Sequence, residues 1–218
     1  MLFSNNRKLS LSGWLQENNK LSYFSPLRLQ KFLFFYEAFS KADGDYSDFS
    51  HLKGYKRGPV FSQVWGDYTK DRAEFDAVSL QTYHNKSEQI NEQRAQRASF
   101  IVSSLSENEL SSLTHQFNIW NAKYQRIMSG EQQVELFEKD FSEEDYVVIQ
   151  SLKQIFPEEM IQNCDIIAIG EKYFVFSKKE LALLTEQHFD ILASLSDHPD
   201  LHNPVYVEID NDGRLCVD

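Results

Sequence analysis

The chain has 218 residues, a formal charge of −11 and an apolar share of 41%. A polypeptide of this length buries about 70% of its unfolded surface, so it needs no disulfide scaffold or structural metal to fold. The acidic balance excludes a general binder of nucleic acid or anionic membranes and leaves room only for a local basic patch.

Residues 8–18 read as a first amphipathic helix with Leu9, Leu11, Trp14 and Leu15 inside. Ser25 is a good N-cap and Pro26 suits the first helical position. Leu29, Phe32, Leu33 and Tyr36 then recur at helical spacing, while Leu27, Phe34, Phe35 and Phe39 cover much of the rest. A helix apolar nearly all round must be buried on most sides, so this one is expected to be the central core helix. Turn residues at 41–45 end it. Residues 49–55 suit a short extended piece, and Gly58 permits an unusual backbone angle. Pro59 is placed to start a helix carrying Phe61, Val64, Trp65 and Tyr68 and ending near Thr69.

Residues 86–104 predict a largely polar helix. Ser106 and Glu109 form a capping box for a helix with Leu110, Leu113 and Phe117 inside, and Trp120, Tyr124, Ile127 and Met128 continue its spacing. Ser142 opens another helix with Asp145 at the capping-box position, closed by Pro157. The pattern then changes. Residues 165–176 read as two strands around a tight turn, and Ser177 with Glu180 caps a helix with Leu181, Leu184, His188, Ile191, Leu192 and Leu195 as its stripe. Residues 204–209 and 214–217 form a hairpin about Asn211-Asp212-Gly213. The fold class expected is α+β and mainly helical. Residues 1–157 form a helical domain around the central helix, and residues 158–218 add a small antiparallel β-hairpin, helix, β-hairpin extension packed on it.

Chemical signals are sparse. The six histidines form no ligand set, and no phosphate-binding glycine loop or nucleophile-elbow motif is present. No catalytic residue, metal site or cofactor is expected. Asp210-Asn211-Asp212-Gly213 reads as a hairpin turn rather than a calcium loop. Cys164 and Cys216 match no metal spacing and read as reduced thiols, and the first residues hold no apolar run suited to a signal peptide. A cytoplasmic protein without membrane contact is therefore expected. Lys53, Tyr55, Lys56 and Arg57 form a small basic cluster, a candidate partner surface for an acidic group.

Three stretches together resemble the Panacea domain, the SocA-like and GepA-like family of phage-associated antitoxins. Leu27-Arg28-Leu29-Gln30-Lys31-Phe32-Leu33-Phe34-Phe35-Tyr36 is similar to the family's L-K-L-Q-K-L-L-Y-Y helix. Gly54-Tyr55-Lys56-Arg57-Gly58-Pro59-Val60, with Trp65 and Tyr68 following, resembles its W-x-Y-G-P-V segment, although Arg57 stands where the family more often has Tyr. Leu110-Ser111-Ser112-Leu113-Thr114-His115 with Trp120 resembles its L-x-x-L-T-H…W pattern. The likeness covers roughly residues 8–156 and leaves the extension without a counterpart.

The resemblance implies an antitoxin of a toxin–antitoxin system that neutralises a cognate protein toxin by direct binding, and not an enzyme. The alternative it carries is a proteolytic adaptor delivering a toxin to a cytosolic AAA+ protease. Lower-ranked readings are a DNA-binding autoregulator, for which Arg94 and Arg97 are the sole hint, and a hydrolase using Thr114 and His115. From the residues themselves, Gly58-Pro59-Val60 is expected to be structural, and His115 to be a packed, hydrogen-bonded side chain.

Overall fold

The computed structural model describes residues Met1–Asp218, which form thirteen α-helices, one short 3-10 helix and seven strands. Helix α1 (Asn6–Asn18) starts at Asn5, whose side chain accepts the Lys8 N–H. Asn19 ends it and caps the short α2 (Lys20–Phe24). Helix α3 (Pro26–Ala42) begins as its sequence dictates, with the Ser25 hydroxyl accepting from Arg28 N at 3.2 Å and Pro26 in the first turn. Every residue from Leu29 to Ser40 is buried, so α3 is the core helix around which the body packs. Its polar members must find partners inside. Glu37 is fully buried and bonded by Arg7 at 2.8 and 2.9 Å, by Lys8, and by the Asp48 N–H at 3.0 Å.

Strands β1 (Leu52–Tyr55) and β2 (Gly58–Phe61) follow, then α4 (Ser62–Lys70) and α5 (Arg72–His84). Gly58-Pro59-Val60 therefore forms a strand antiparallel to β1 and not a helix start. Pro59 is tolerated because β2 is the edge of its sheet, where a missing N–H breaks no inner ladder. Phe61 becomes the N-cap of α4, and Trp65, expected inside, is 41% exposed. Helix α5 was not anticipated from the sequence. It packs on α1 at Gly13, where a Cβ would lie 2.2 Å from the Ser79 carbonyl oxygen. That close backbone approach uses small residues, which give no apolar stripe to read.

Helix α6 (Glu92–Ser104) starts six residues later than expected, capped by Asn91, and Lys86, where it was expected to begin, adopts a left-handed φ of 51°. The Ser106–Glu109 capping box opens α7 (Glu107–His115) as anticipated. The continuous helix expected through Met128 instead breaks into α8 (Asn118–Asn121) and α9 (Tyr124–Met128). The buried Asp145 carboxylate accepts the N–H groups of Asn118 and Ile119, capping α8 from across the fold. Tyr124 and Met128 are consequently exposed. Strand β3 (Val134–Glu135) joins the free side of β1, and α10 (Glu143–Ile155) opens at Ser142 with half of the expected box: the Asp145 carboxylate accepts the Ser142 N–H at 2.8 Å, while the Ser142 hydroxyl has no hydrogen-bond partner.

The extension runs α11 (Glu158–Asn163), β4 (Cys164–Ile169), β5 (Lys172–Ser177), α12 (Lys178–Leu181), α13 (Glu186–Ser196), β6 (Val205–Ile209) and β7 (Leu215–Val217). Each hairpin is antiparallel, but they join through a parallel β5–β6 pair, in the order β4-β5-β6-β7. Parallel neighbours need a long crossover connection, which α12 and α13 supply between β5 and β6. The single helix expected after Ser177 splits, because Thr185 with His188 forms a second capping box. Alternation along β5 builds the layers. Phe174 and Phe176 pack with Leu192, Val205 and Val207, while Val175 faces the opposite way into the main core. Arg28 on α3 donates to the Tyr173 hydroxyl at 2.6 Å, and Asn203 donates to Glu109 at 3.0 Å, so the extension is docked on the body. No helix is long and apolar enough to cross a membrane.

Candidate functional site

Gln30, Lys31, Gly58, Thr114, His115 and Trp120, drawn from the three resemblance-bearing stretches, meet at the loop of the β1–β2 hairpin. Gln30, buried on α3, accepts the Phe61 N–H at 2.8 Å and so fixes the end of β2. One residue on, Lys31 passes beneath the loop and donates to the Arg57 carbonyl at 2.6 Å. From α8, the Trp120 indole donates to the Tyr55 carbonyl at 3.0 Å. Side chains from two distant helices thus hold the carbonyls of Tyr55 and Arg57 at the two-residue Lys56-Arg57 turn, and the turn is built rather than loosely solvated.

Gly58 is the point of closest approach. Its φ is 101°, a left-handed conformation that glycine adopts without steric penalty. A Cβ there would lie 2.2 Å from the Lys31 amine and 2.5 Å from the Thr114 hydroxyl. Thr114 bonds back to the Leu110 and Ser111 carbonyls of its own helix, each at 3.0 Å. His115 lies flat on Trp120, with ring centroids 3.8 Å apart and planes at 15°. The packed position expected for His115 is observed, but its Nε2 is buried without the expected hydrogen-bond partner. Burial and the Lys31 charge push its pKa down, and the Lys56 backbone pulls the other way. Neither Thr114 nor His115 hydrogen-bonds the other or a carboxylate side chain. No cluster of three or more His, Cys, Asp or Glu is placed to hold a metal ion.

Lys31 is the unusual member. It is 1% exposed, and burial, with Arg57 adding repulsion, holds its pKa well below the ordinary value for an amine. Every other buried cation meets an acid. Lys8 has Glu37 and Asp48, and Arg94 has Asp43 and Asp45. Lys31 forms no ion pair, and its amine donates to the Arg57 carbonyl. It lines a hollow of about 730 Å³ walled by Leu27, Gln30, Tyr55, Val60 and Trp65, with Lys56 and Arg57 at the loop.

The remaining sequence candidates stand elsewhere. Leu29 is core. Tyr36 accepts the Asn91 N–H at 2.9 Å at the start of α6, and Tyr68 donates to the Tyr23 carbonyl at 2.9 Å. Lys53 is paired with Glu135 across the sheet at 2.6 Å, so the basic cluster shrinks to Lys56 and Arg57 beside Tyr55. Arg94 and Arg97 do not form a recognition surface. Arg94 is 5% exposed and paired with acids, and Arg97 donates to the Phe156 carbonyl at 3.2 Å. Sequence reasoning missed Glu107, which accepts from Arg57 at 3.0 Å, and Ile127, which closes the hollow. No local pattern links either residue to the hairpin. Compared with family models, curated proteins and solved structures, the chain matches none.

Proposed function

We propose that this protein is a Panacea-like antitoxin, which neutralises a protein toxin by binding it directly. The observation that supports this reading is the convergence of Gln30, Lys31, Gly58, Thr114, His115 and Trp120, drawn from three separate stretches, around one hairpin loop. The buried hydrogen bonds of Gln30, Lys31 and Trp120 are spent on holding that hairpin, and what it presents outward is Tyr55, Lys56, Arg57 and the half-exposed Trp65. Aromatic and arginine side chains on a rigid support are the composition of binding hot spots. The charge of −11 suits electrostatic steering of a basic toxin towards the molecule.

Co-expression tests the reading. A short reading frame beside this gene is expected to arrest growth when expressed alone, and this chain is expected to restore growth. A toxin whose steady-state level is unchanged during rescue is the signature of direct neutralisation. A toxin that disappears only when a cytosolic AAA+ protease is present points to the adaptor role. Continued arrest at full expression of this chain contradicts both.

A further inference from the structure

We propose that the hollow beneath the β1–β2 loop seats an acidic, apolar peptide segment of the partner. A carboxylate would lie against Lys31 and Lys56, and a large apolar side chain would lie between Leu27, Val60 and Trp65. The proposal rests on the binding role argued above and gives that contact its chemistry.

Size and charge both point this way. A space of about 730 Å³ falls within the roughly 300–1,000 Å³ of pockets that enclose small ligands, and it holds a few side chains rather than a folded surface. Two carboxylates line it, and both are engaged. Glu107 accepts from Arg57 at 3.0 Å and Ser25 at 2.8 Å, and Glu131 accepts from Arg126. Lys31 and Lys56 are left as the lining cations without an acid, in a protein whose overall charge is strongly negative. A buried amine lacking a counter-charge is costly to hold charged, and an entering carboxylate offsets that cost through a charge-assisted hydrogen bond. Phosphate would call for several converging donors or a free arginine fork. Here Arg57 is held by Glu107, and the rest of the wall is largely apolar. A carboxylate carried on an apolar peptide fits those walls better.

The test is an NMR titration of the full chain with three probes: the peptide acetyl-Glu-Leu-Phe-Glu, its neutral counterpart acetyl-Gln-Leu-Phe-Gln-amide, and inorganic phosphate. The acidic peptide is expected to shift the Arg57, Val60 and Trp65 indole resonances saturably, and the neutral peptide to bind at least tenfold more weakly. Lys31→Met and Lys56→Glu are each expected to weaken binding at least tenfold, whereas Lys179→Met on exposed α12 leaves it unchanged. Lys56→Glu is a loop-surface change that keeps the test valid if Lys31→Met folds poorly. Equal binding of the two peptides, shifts confined to other residues, or no shifts overturn the proposal. The same shifts from phosphate alone assign the hollow to a free anion and also overturn it. Growth rescue separates the two claims. If wild type, Lys31→Met and Lys56→Glu protect equally, the hollow proposal falls and the antitoxin reading stands. If wild type fails to protect, the antitoxin reading falls whatever the peptides do.

Discussion

At the scale of single residues, Gly58 and Lys31 carry the account. Gly58 combines a left-handed backbone with a space that even a methyl group would overfill. Gly58→Val is therefore expected to destabilise by about 1 kcal/mol or more, read as a lowered melting temperature. An unchanged melting temperature contradicts the close approach. Lys31 makes the opposite prediction. Its folded pKa is depressed by burial, with Arg57 adding repulsion, so the unfolded chain holds this proton more tightly than the folded one. Stability then rises with pH between the folded value and that of a free lysine, about 10.4. Lys31→Met removes both the proton and the buried charge. It is expected to unfold at equal or higher urea than wild type at pH 7, with the advantage shrinking by pH 9.5. A large loss of stability at pH 7 means that the amine is satisfied inside after all. The glycine's conformational need was legible in the sequence. The isolation of Lys31 was not, because it depends on where Glu107 and Glu131 find their own partners.

Among the elements, those set by local chemistry were the readable ones. The caps at Ser25, Ser106 and Ser177 appear where their residue types place them, and Ser142 opens its helix through the Asp145 carboxylate on its N–H. Long-range contacts defeated the rest. Asp145 interrupts the helix expected through Met128, and Gly13 against Ser79 builds α5 from residues with no apolar periodicity. Strand and turn patterns in the extension spell two hairpins and a helix, but they do not encode the crossover behind its parallel join. It has its own small core of Phe174, Phe176, Leu192, Val205 and Val207, shared with the body only through Val175 and its half-buried neighbours. A buried Phe→Ala change typically costs about 3–5 kcal/mol, and here it should be felt locally. Phe174→Ala is expected to speed amide hydrogen exchange across residues 164–217 while leaving Leu29–Ser40 protected. Equal acceleration in both regions would mean that body and extension unfold as one unit.

For the whole molecule, the sequence predicted a mainly helical α+β protein around one buried helix, and α3 occupies that place. The candidate site was legible as a set of residues and not as a place. Gln30, Lys31, Gly58, Thr114, His115 and Trp120 span much of the body sequence, and their meeting at one loop is a product of tertiary packing. The basic cluster lost Lys53 to Glu135 and gained a buried neighbour in Lys31. The negative charge belongs to this largest scale, where the proposed role would use it to guide encounter with a basic partner without specifying the contact. The central claim is that neutralisation occurs by direct contact at the hairpin face. The measurement that tests it most directly is a titration of purified toxin, from the adjacent reading frame, with this purified protein and no protease present. The account predicts stoichiometric loss of toxin activity together with a stable complex, both weakened at least tenfold by Lys56→Glu combined with Trp65→Ala. Undiminished toxin activity in the presence of excess protein would contradict it.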